Sequence, residues 1–175
     1  MTRLNSRYLA VFIGLIVLAA DLFTKYLVQH HLPLSSSFAT YPYGGVAIFH
    51  DFLGIEFTLI HAVNRGAAWG MFAEWQHVLL ALRFFIIVGI LIYTIFFNKK
   101  RNCDIPLALI LAGASGNVID YFLYGHVVDM LHFIFWGYDY PVFNLADSAI
   151  FIGIAWLLVL SWVDKESNES SSITH

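Results

Sequence analysis

Asn117-Val-Ile-Asp120, His126-Val-Val-Asp129 and Phe143-Asn144-Leu-Ala-Asp147-Ser fall within 32 residues of a chain that is otherwise mostly apolar. Three carboxylates and two side-chain amides beside hydrophobic runs of this kind are expensive to place in a bilayer. An intramembrane Asp is therefore a functional-site hypothesis from the outset.

The surrounding composition makes the bilayer the natural solvent. At 59% hydrophobic and 12% charged, with a mean hydropathy of +0.73, the 175 residues are too apolar for a water-soluble core of this size. They suit one compact membrane domain spanning 1–175. A net charge of −3 without a basic cluster provides no footprint for nucleic acid. Cys103 is the single cysteine, which excludes an internal disulfide framework and a cysteine-based zinc cluster.

Four runs are long enough to cross, at about 8–28, 78–97, 105–124 and 142–163. Arg3 and Arg7 before the first run also suit a signal peptide, but Leu18-Ala-Ala is followed by Asp21 and no lipobox cysteine, so the run reads as a retained span. Arg3, Arg7, Lys99, Lys100, Arg101 and Lys165 are six of the nine basic residues, and this topology puts them all on one side. The positive-inside bias makes that side the cytoplasm, with both termini there. The Ser-rich end, 164–175, reads as a flexible cytoplasmic tail.

With that orientation the polar residues gather near the outer ends of the spans. Asp21 and Lys25 lie near the exit of span one, Arg83 near the entry of span two, Asp120 near the exit of span three, and Asp147 about five residues into span four. Gly113, Gly116, Asn117 and Asp120 share one helical face, as do Asn144 and Asp147, and the two polar faces are expected to meet. Asp129 lies in the connection between spans three and four, from which it folds back to the same depth.

The outer loop, about 29–77, is too long for a simple connector. Ile55-Glu-Phe-Thr-Leu-Ile-His-Ala-Val63 alternates, and Asp51-Phe-Leu-Gly54 before it is turn-like, so a small extracytoplasmic sheet is expected there. Trp69, Met71, Phe72 and Trp75 suit the headgroup interface. The fold class is thus an all-α membrane protein of four transmembrane helices with a small extracytoplasmic β element.

Asp21 and Lys25, four residues apart, read as a structural ion pair. Asp120 beside Asn117 reads as packing support, and Asp139 in Trp136-Gly-Tyr-Asp-Tyr-Pro141 as a turn residue. Asp129 and Asp147 have no evident local basic partner. Two facing carboxylates in low dielectric do not both ionise; one keeps a proton and acts as acid while the other takes a proton from water. Such a pair hydrolyses an amide with no metal or cofactor. Two other readings stay open. His126-x-x-Asp129-x-x-His132 offers metal-type ligands without the His-Glu-x-x-His pattern, and buried acids could line a proton or ion pathway, although these gather at one leaflet rather than crossing it.

Asp21-Leu-Phe-Thr-Lys25, Asn64-Arg-Gly66-Ala-Ala-Trp-Gly70, Gly113-Ala-Ser-Gly-Asn-Val-Ile-Asp120, Val127-Val-Asp129 and Phe143-Asn-Leu-Ala-Asp147-Ser together resemble, in order, the successive motifs of the lipoprotein signal peptidases, also called signal peptidase II. The resemblance implies an aspartic endopeptidase of the bacterial inner membrane that cuts prolipoproteins before a diacylglyceryl-modified cysteine. By motif, Asp129 and Asp147 are the implied catalytic pair. Asn64, Gly66, Asn117, Asp120 and Asn144 are implied as substrate-binding or supporting residues, and Asp21 and Lys25 as structural polar residues. The implied partners are the lipid-modified prolipoprotein, membrane lipids and inhibitory globomycin-type peptides, with the site facing the outer leaflet. Tyr121 departs from the pattern, which has Arg after the third-motif Asp, and the 35–45 loop is longer than the family implies.

Overall fold

The computed structural model describes residues 3–35, 40–66 and 73–173. Trp69, Met71 and Phe72 lie outside the described residues. Four long helices carry the apolar runs: α1 (Arg3–His31), α2 (Gln76–Ile92), α3 (Asp104–Tyr124) and α4 (Leu145–Ile173). A π-helical turn, Tyr93–Phe97, extends α2, so the four segments long and apolar enough to span are Asn5–His31, Gln76–Phe97, Arg101–Tyr124 and Leu145–Glu166. The four expected spans are therefore all helical.

Burial is distributed as it should be for lipid solvent. α3 is the central helix, with α1, α2 and α4 packed against it. α2 has no buried residue, and Phe85, Phe122, Phe151 and Trp162 point outward. Exposed faces of that size would drive aggregation in water, whereas in a bilayer they meet acyl chains while the helices satisfy their own backbone groups.

Small residues set how closely the helices approach. A Cβ on Gly113 would stand 2.3 Å from the Ala146 carbonyl oxygen, and one on Gly116 would stand 2.4 Å from Asp21 Oδ2. The Gly113/Gly116 face thus meets α4 on one side and α1 on the other. Gly113→Ala is expected to push α3 from the start of α4 at a cost of about 1–3 kcal/mol. A lower thermal unfolding midpoint together with reduced activity is the expected result, because the same displacement separates Asn117 from Asp147.

The sheet is larger than the one read from the outer loop. β1 (Val46–Phe52) and β2 (Ile55–Asn64) form the anticipated hairpin, but β3 (Val127–Phe135) and β4 (Tyr138–Asp139), from the connection between α3 and α4, complete an antiparallel sheet in the order β1-β2-β3-β4. Asp129 is therefore not in a loop that folds back; it pairs with Ala62 across the β2–β3 ladder. Val127-Val-Asp-Met-Leu-His-Phe-Ile-Phe135 shows no clean alternation, because several positions of both parities are buried between sheet, α1 and α3. Both hairpins use two-residue turns, Leu53-Gly54 and Trp136-Gly137, with positive φ at each position. That is the twist of a primed turn, which glycine adopts freely.

Two helix ends also differ from the sequence reading. Span four begins at Leu145 rather than about 142, because Asn144 caps it. The backbone of α4 stays helical to Ile173, where a flexible tail was expected from 164. Contact between Lys100 and Asp164 holds the inner end of this helix to the turn before α3. At this same end Asp104 accepts from Asn98 Nδ2 at 2.7 Å and Ser6 Oγ at 2.9 Å, and Arg7 donates to the Asn98 carbonyl at 3.2 Å. α1, α3 and the extension of α2 are joined there, far from the sheet.

Candidate active site

The start of α4 organises the polar cluster. Helix N-termini leave backbone N–H groups without intrahelical partners, and three carboxylate or amide side chains serve this one. The Asn144 side-chain oxygen accepts from the Asp147 N–H at 2.8 Å, and Asp147 Oδ2 accepts from the Asn144 N–H at 3.4 Å. This reciprocal pair is a capping box built from Asn and Asp. Asp21 Oδ1 accepts from the Ala146 N–H at 2.8 Å, reaching across from α1. Asp147 therefore sits in the first turn of α4, about three residues, a little under one turn, nearer the outer end than five residues into a span would have put it.

Beneath this cap lies a fully buried charge cluster. Lys25 Nζ is 2.8 Å from Asp21 Oδ2 and 2.8 Å from Asp120 Oδ2, with all three side chains at or near zero exposure. The expected Asp21–Lys25 pair is present and Asp120 joins it, so one ammonium group is shared by two carboxyl groups. Lys25 also donates to Asn117 Oδ1 at 2.9 Å, and the Val128 N–H donates to Asp120 Oδ2 at 3.2 Å. Helix α1, helix α3, strand β3 and the α4 cap are thereby tied to one ammonium group.

Asn117 and Asn144 connect this cluster to the exposed side. Asn144 Nδ2 donates to Asp129 Oδ1 at 2.7 Å and lies 3.1 Å from Asn117 Oδ1, while Asn117 Nδ2 donates to Asp147 Oδ1 at 2.8 Å. On the other flank Asn64 Nδ2 donates to Asp129 Oδ2 at 2.9 Å, and its own oxygen accepts from the Gly66 N–H at 2.9 Å. Every residue singled out in the sequence for this region, Asn64, Gly66, Asn117, Asp120, Asp129, Asn144 and Asp147 with Asp21 and Lys25, thus belongs to one hydrogen-bonded network. Among the described residues, Asp129 and Asp147 are its two carboxylates without a cationic contact.

Burial and the negative charge of Asp147 push the Asp129 carboxyl up to about 7, against the donated bonds from Asn64 and Asn144 and the field of Lys25. Asp129 is thus poised to hold a proton near neutral pH. Asp147, Asn64, Gly66 and Arg83 share the wall of a cavity of about 900 Å³ whose remaining lining is chiefly Phe133, Phe135, Tyr140, Phe143, Phe151 and Ile152. Asp147 thus adjoins an apolar cavity, while Asp129 lies buried behind it and is reached through the amides of Asn64 and Asn144. The aromatic lining was not legible beforehand, since β3 was not recognised as a strand.

The other sequence candidates go elsewhere. His132 directs Nε2 to Asp139 Oδ1 at 2.9 Å and Nδ1 toward Thr58 Oγ1 at 3.2 Å. Asp139 is accordingly a β4 residue pairing with His132 rather than a plain turn residue. His126 packs beside Tyr124 and is held below its usual range by burial and by His61 and Arg65. Among the described residues no group of three His, Cys, Asp or Glu side chains is arranged to hold a metal. Tyr121, where the resembled family has Arg, hydrogen-bonds His77 Nδ1 at 2.9 Å and so ties α3 to α2.

Comparison with known proteins agrees with this arrangement. The pattern of the signal peptidase (SPase) II family matches residues 13–163. The lipoprotein signal peptidase of Chlamydia trachomatis serovar L2b is 36% identical over 168 residues, covering 94% of this chain and 98% of that one. Those of Anoxybacillus flavithermus and Bacillus subtilis are each 32% identical, over 91% and 87% of this chain and 89% and 92% of theirs. A solved structure described as a bacterial membrane enzyme superposes with a TM-score of 0.72 at 27% identity, covering 90% of both chains. With four spanning helices, one polar network at the sheet and this extent of similarity, the chain belongs to the signal peptidase II family, the lipoprotein-processing proteases of bacterial membranes.

Proposed function

We propose that this protein is an aspartic endopeptidase that removes the signal peptide from diacylglyceryl-modified prolipoproteins, with Asp129 and Asp147 activating water. The observation that carries the reading is the pair of carboxylates held by Asn64, Asn117 and Asn144, with Asp147 lining an apolar cavity and buried Asp129 raised to about 7. The relatives' name, lipoprotein signal peptidase, supports the substrate class. The positive-inside bias supports cytoplasmic termini, residence in the inner membrane and a site at the outer leaflet.

In this mechanism the signal helix lies among the spans and the lipid chains remain in the outer leaflet, so the scissile amide rests beside the pair. Asp147 takes a proton from water, whose oxygen attacks the carbonyl carbon. Protonated Asp129 hydrogen-bonds the carbonyl oxygen as it gains charge. The tetrahedral intermediate then collapses, the C–N bond breaks, and a carboxyl proton passes to the leaving cysteine nitrogen. No covalent enzyme intermediate or metal is needed. Globomycin-type peptides would inhibit by filling the same cavity.

Cleavage of a purified precursor, with and without its diacylglyceryl group, tests the proposal. The modified precursor is expected to be cut immediately before the cysteine, at a rate chelators leave unchanged, and the unmodified one at least about tenfold more slowly, since several buried methylenes of binding are lost. Equal cleavage of both, or loss of activity with a chelator, would overturn it. Because the pair needs Asp129 protonated, kcat is expected to fall as pH rises through about 7 and to fall again in acid as its partner gains a proton, giving a bell whose limbs belong to the pair.

A further inference from the structure

Arg83 lies within span two, half-buried, and its position there calls for a partner. Its Nη2 donates to the carbonyl oxygen of Gly66 at 3.0 Å. The N–H of that same Gly66 donates to Asn64 Oδ1 at 2.9 Å, closing an Asx turn. Asn64 Nδ2 then donates to Asp129 Oδ2 at 2.9 Å. A side-chain amide has one acceptor end and one donor end. Fixing the oxygen on Gly66 necessarily presents the NH2 to Asp129.

We propose that Arg83 is a positioning residue for the peptidase reaction: by clamping Gly66 it locks the Asn64 amide in the one orientation that donates to Asp129. The inference rests on the reading of Asp129 as a member of the working pair. Arg83 acts through two intermediaries rather than by contact with the reacting atoms. The clamp is mechanical, because the Gly66 carbonyl and N–H belong to different peptide units. A bidentate-capable, permanently charged guanidinium suits the role, as it keeps its donors at any pH. The Asn144 amide on the opposite oxygen needs no such clamp, because Asn144 is already locked as the α4 cap.

The test is a cycle of Arg83→Met, Asn64→Ala and the double variant in the full-length protein, measured as kcat, KM and pH profile on lipid-modified precursor, with thermal unfolding as the folding control. Arg83→Met is expected to lower kcat about tenfold with KM within about twofold, the pattern of a lost transition-state arrangement. Asp129 is faced by the amides of Asn64 and Asn144, by Asp147 and by Lys25. Loss of the Asn64 donor should therefore move the basic limb of kcat to higher pH. The double variant should be no slower than Asn64→Ala alone, because the two residues act in series, and Arg83→Lys, which can still donate to Gly66, should recover part of the rate. Multiplying effects in the double variant, an unmoved pH limb, or a rise confined to KM would each overturn the proposal. Asp129→Asn assayed alongside tells the two failures apart: an inactive Asp129→Asn with any of these outcomes overturns the clamp alone, whereas an active one overturns the catalytic pair.

Discussion

Asp129→Asn and Asp147→Asn are each expected to reduce prolipoprotein cleavage by a factor of about 10³ or more while the protein still folds and inserts. Losing either acid or base removes a contribution of about 10² to 10⁴, and the two act as a unit, so the double variant should be little worse than either one. Asp129→Asn carries a second expected signature. The carboxyl has a folded-state pKa of about 7 against 3.8 in the unfolded chain, so the fold holds its proton more tightly. Its contribution is fully present below pH 3.8 and is lost as pH rises to about 7. That swing is on the order of 4 kcal/mol. The Asn variant should lose this decline in stability between acid and neutral pH, although its NH2 opposes the amide donors of Asn64 or Asn144 and offsets part of the gain. Thermal unfolding across pH in detergent, alongside single-turnover cleavage, measures both. Retained cleavage by either variant would remove the aspartic mechanism.

Lys25→Met is expected to be the most damaging substitution outside the pair. It leaves Asp21 and Asp120 buried with no cation, and breaking a buried ion pair by removing one partner costs about 3–5 kcal/mol. The same ammonium orients Asn117, which donates to Asp147, so activity should fall with stability. Adding Asp21→Asn and Asp120→Asn to Lys25→Met should recover much of the unfolding temperature. Their side-chain oxygens can still accept from the Ala146 and Val128 N–H groups while the uncompensated charge is gone. If the triple variant is no more stable than the single one, the loss lies in packing rather than in charge.

The lipid-facing exterior explains why so few residues carry so much of this molecule's specificity. Apolar surface against acyl chains supplies little drive for one helix to choose another, and small residues and polar contacts decide instead. Gly113 and Gly116 let α3 approach α4 and α1, and the Lys25 cluster then fixes their register. Because the resulting network ends at Asp129 and Asp147, the contacts that assemble the bundle also orient the two carboxylates.

How much of this was legible beforehand follows from the range of each interaction. Four spans and the shared face of Gly113, Gly116, Asn117 and Asp120 depend on hydropathy and helical periodicity, both of them local properties of the chain. The Asp21–Lys25 pair, four residues apart, was legible for the same reason, and the ordered motifs identified the family. The partners that complete each group were not. Asp120 joins Lys25 across 95 positions, β3 is a strand because β2 lies beside it, and Arg83 reaches Gly66 only once α2 stands beside the segment that follows β2. Asp147 likewise belongs to a capping box whose start Asn144 decides, which moved it toward the outer end of its span. The sequence by itself determined the four apolar spans and which polar residues gather near their ends. Only the tertiary structure decided which oxygen receives which amide, because hydrogen bonds have directions and those are set by elements packed together from distant parts of the chain.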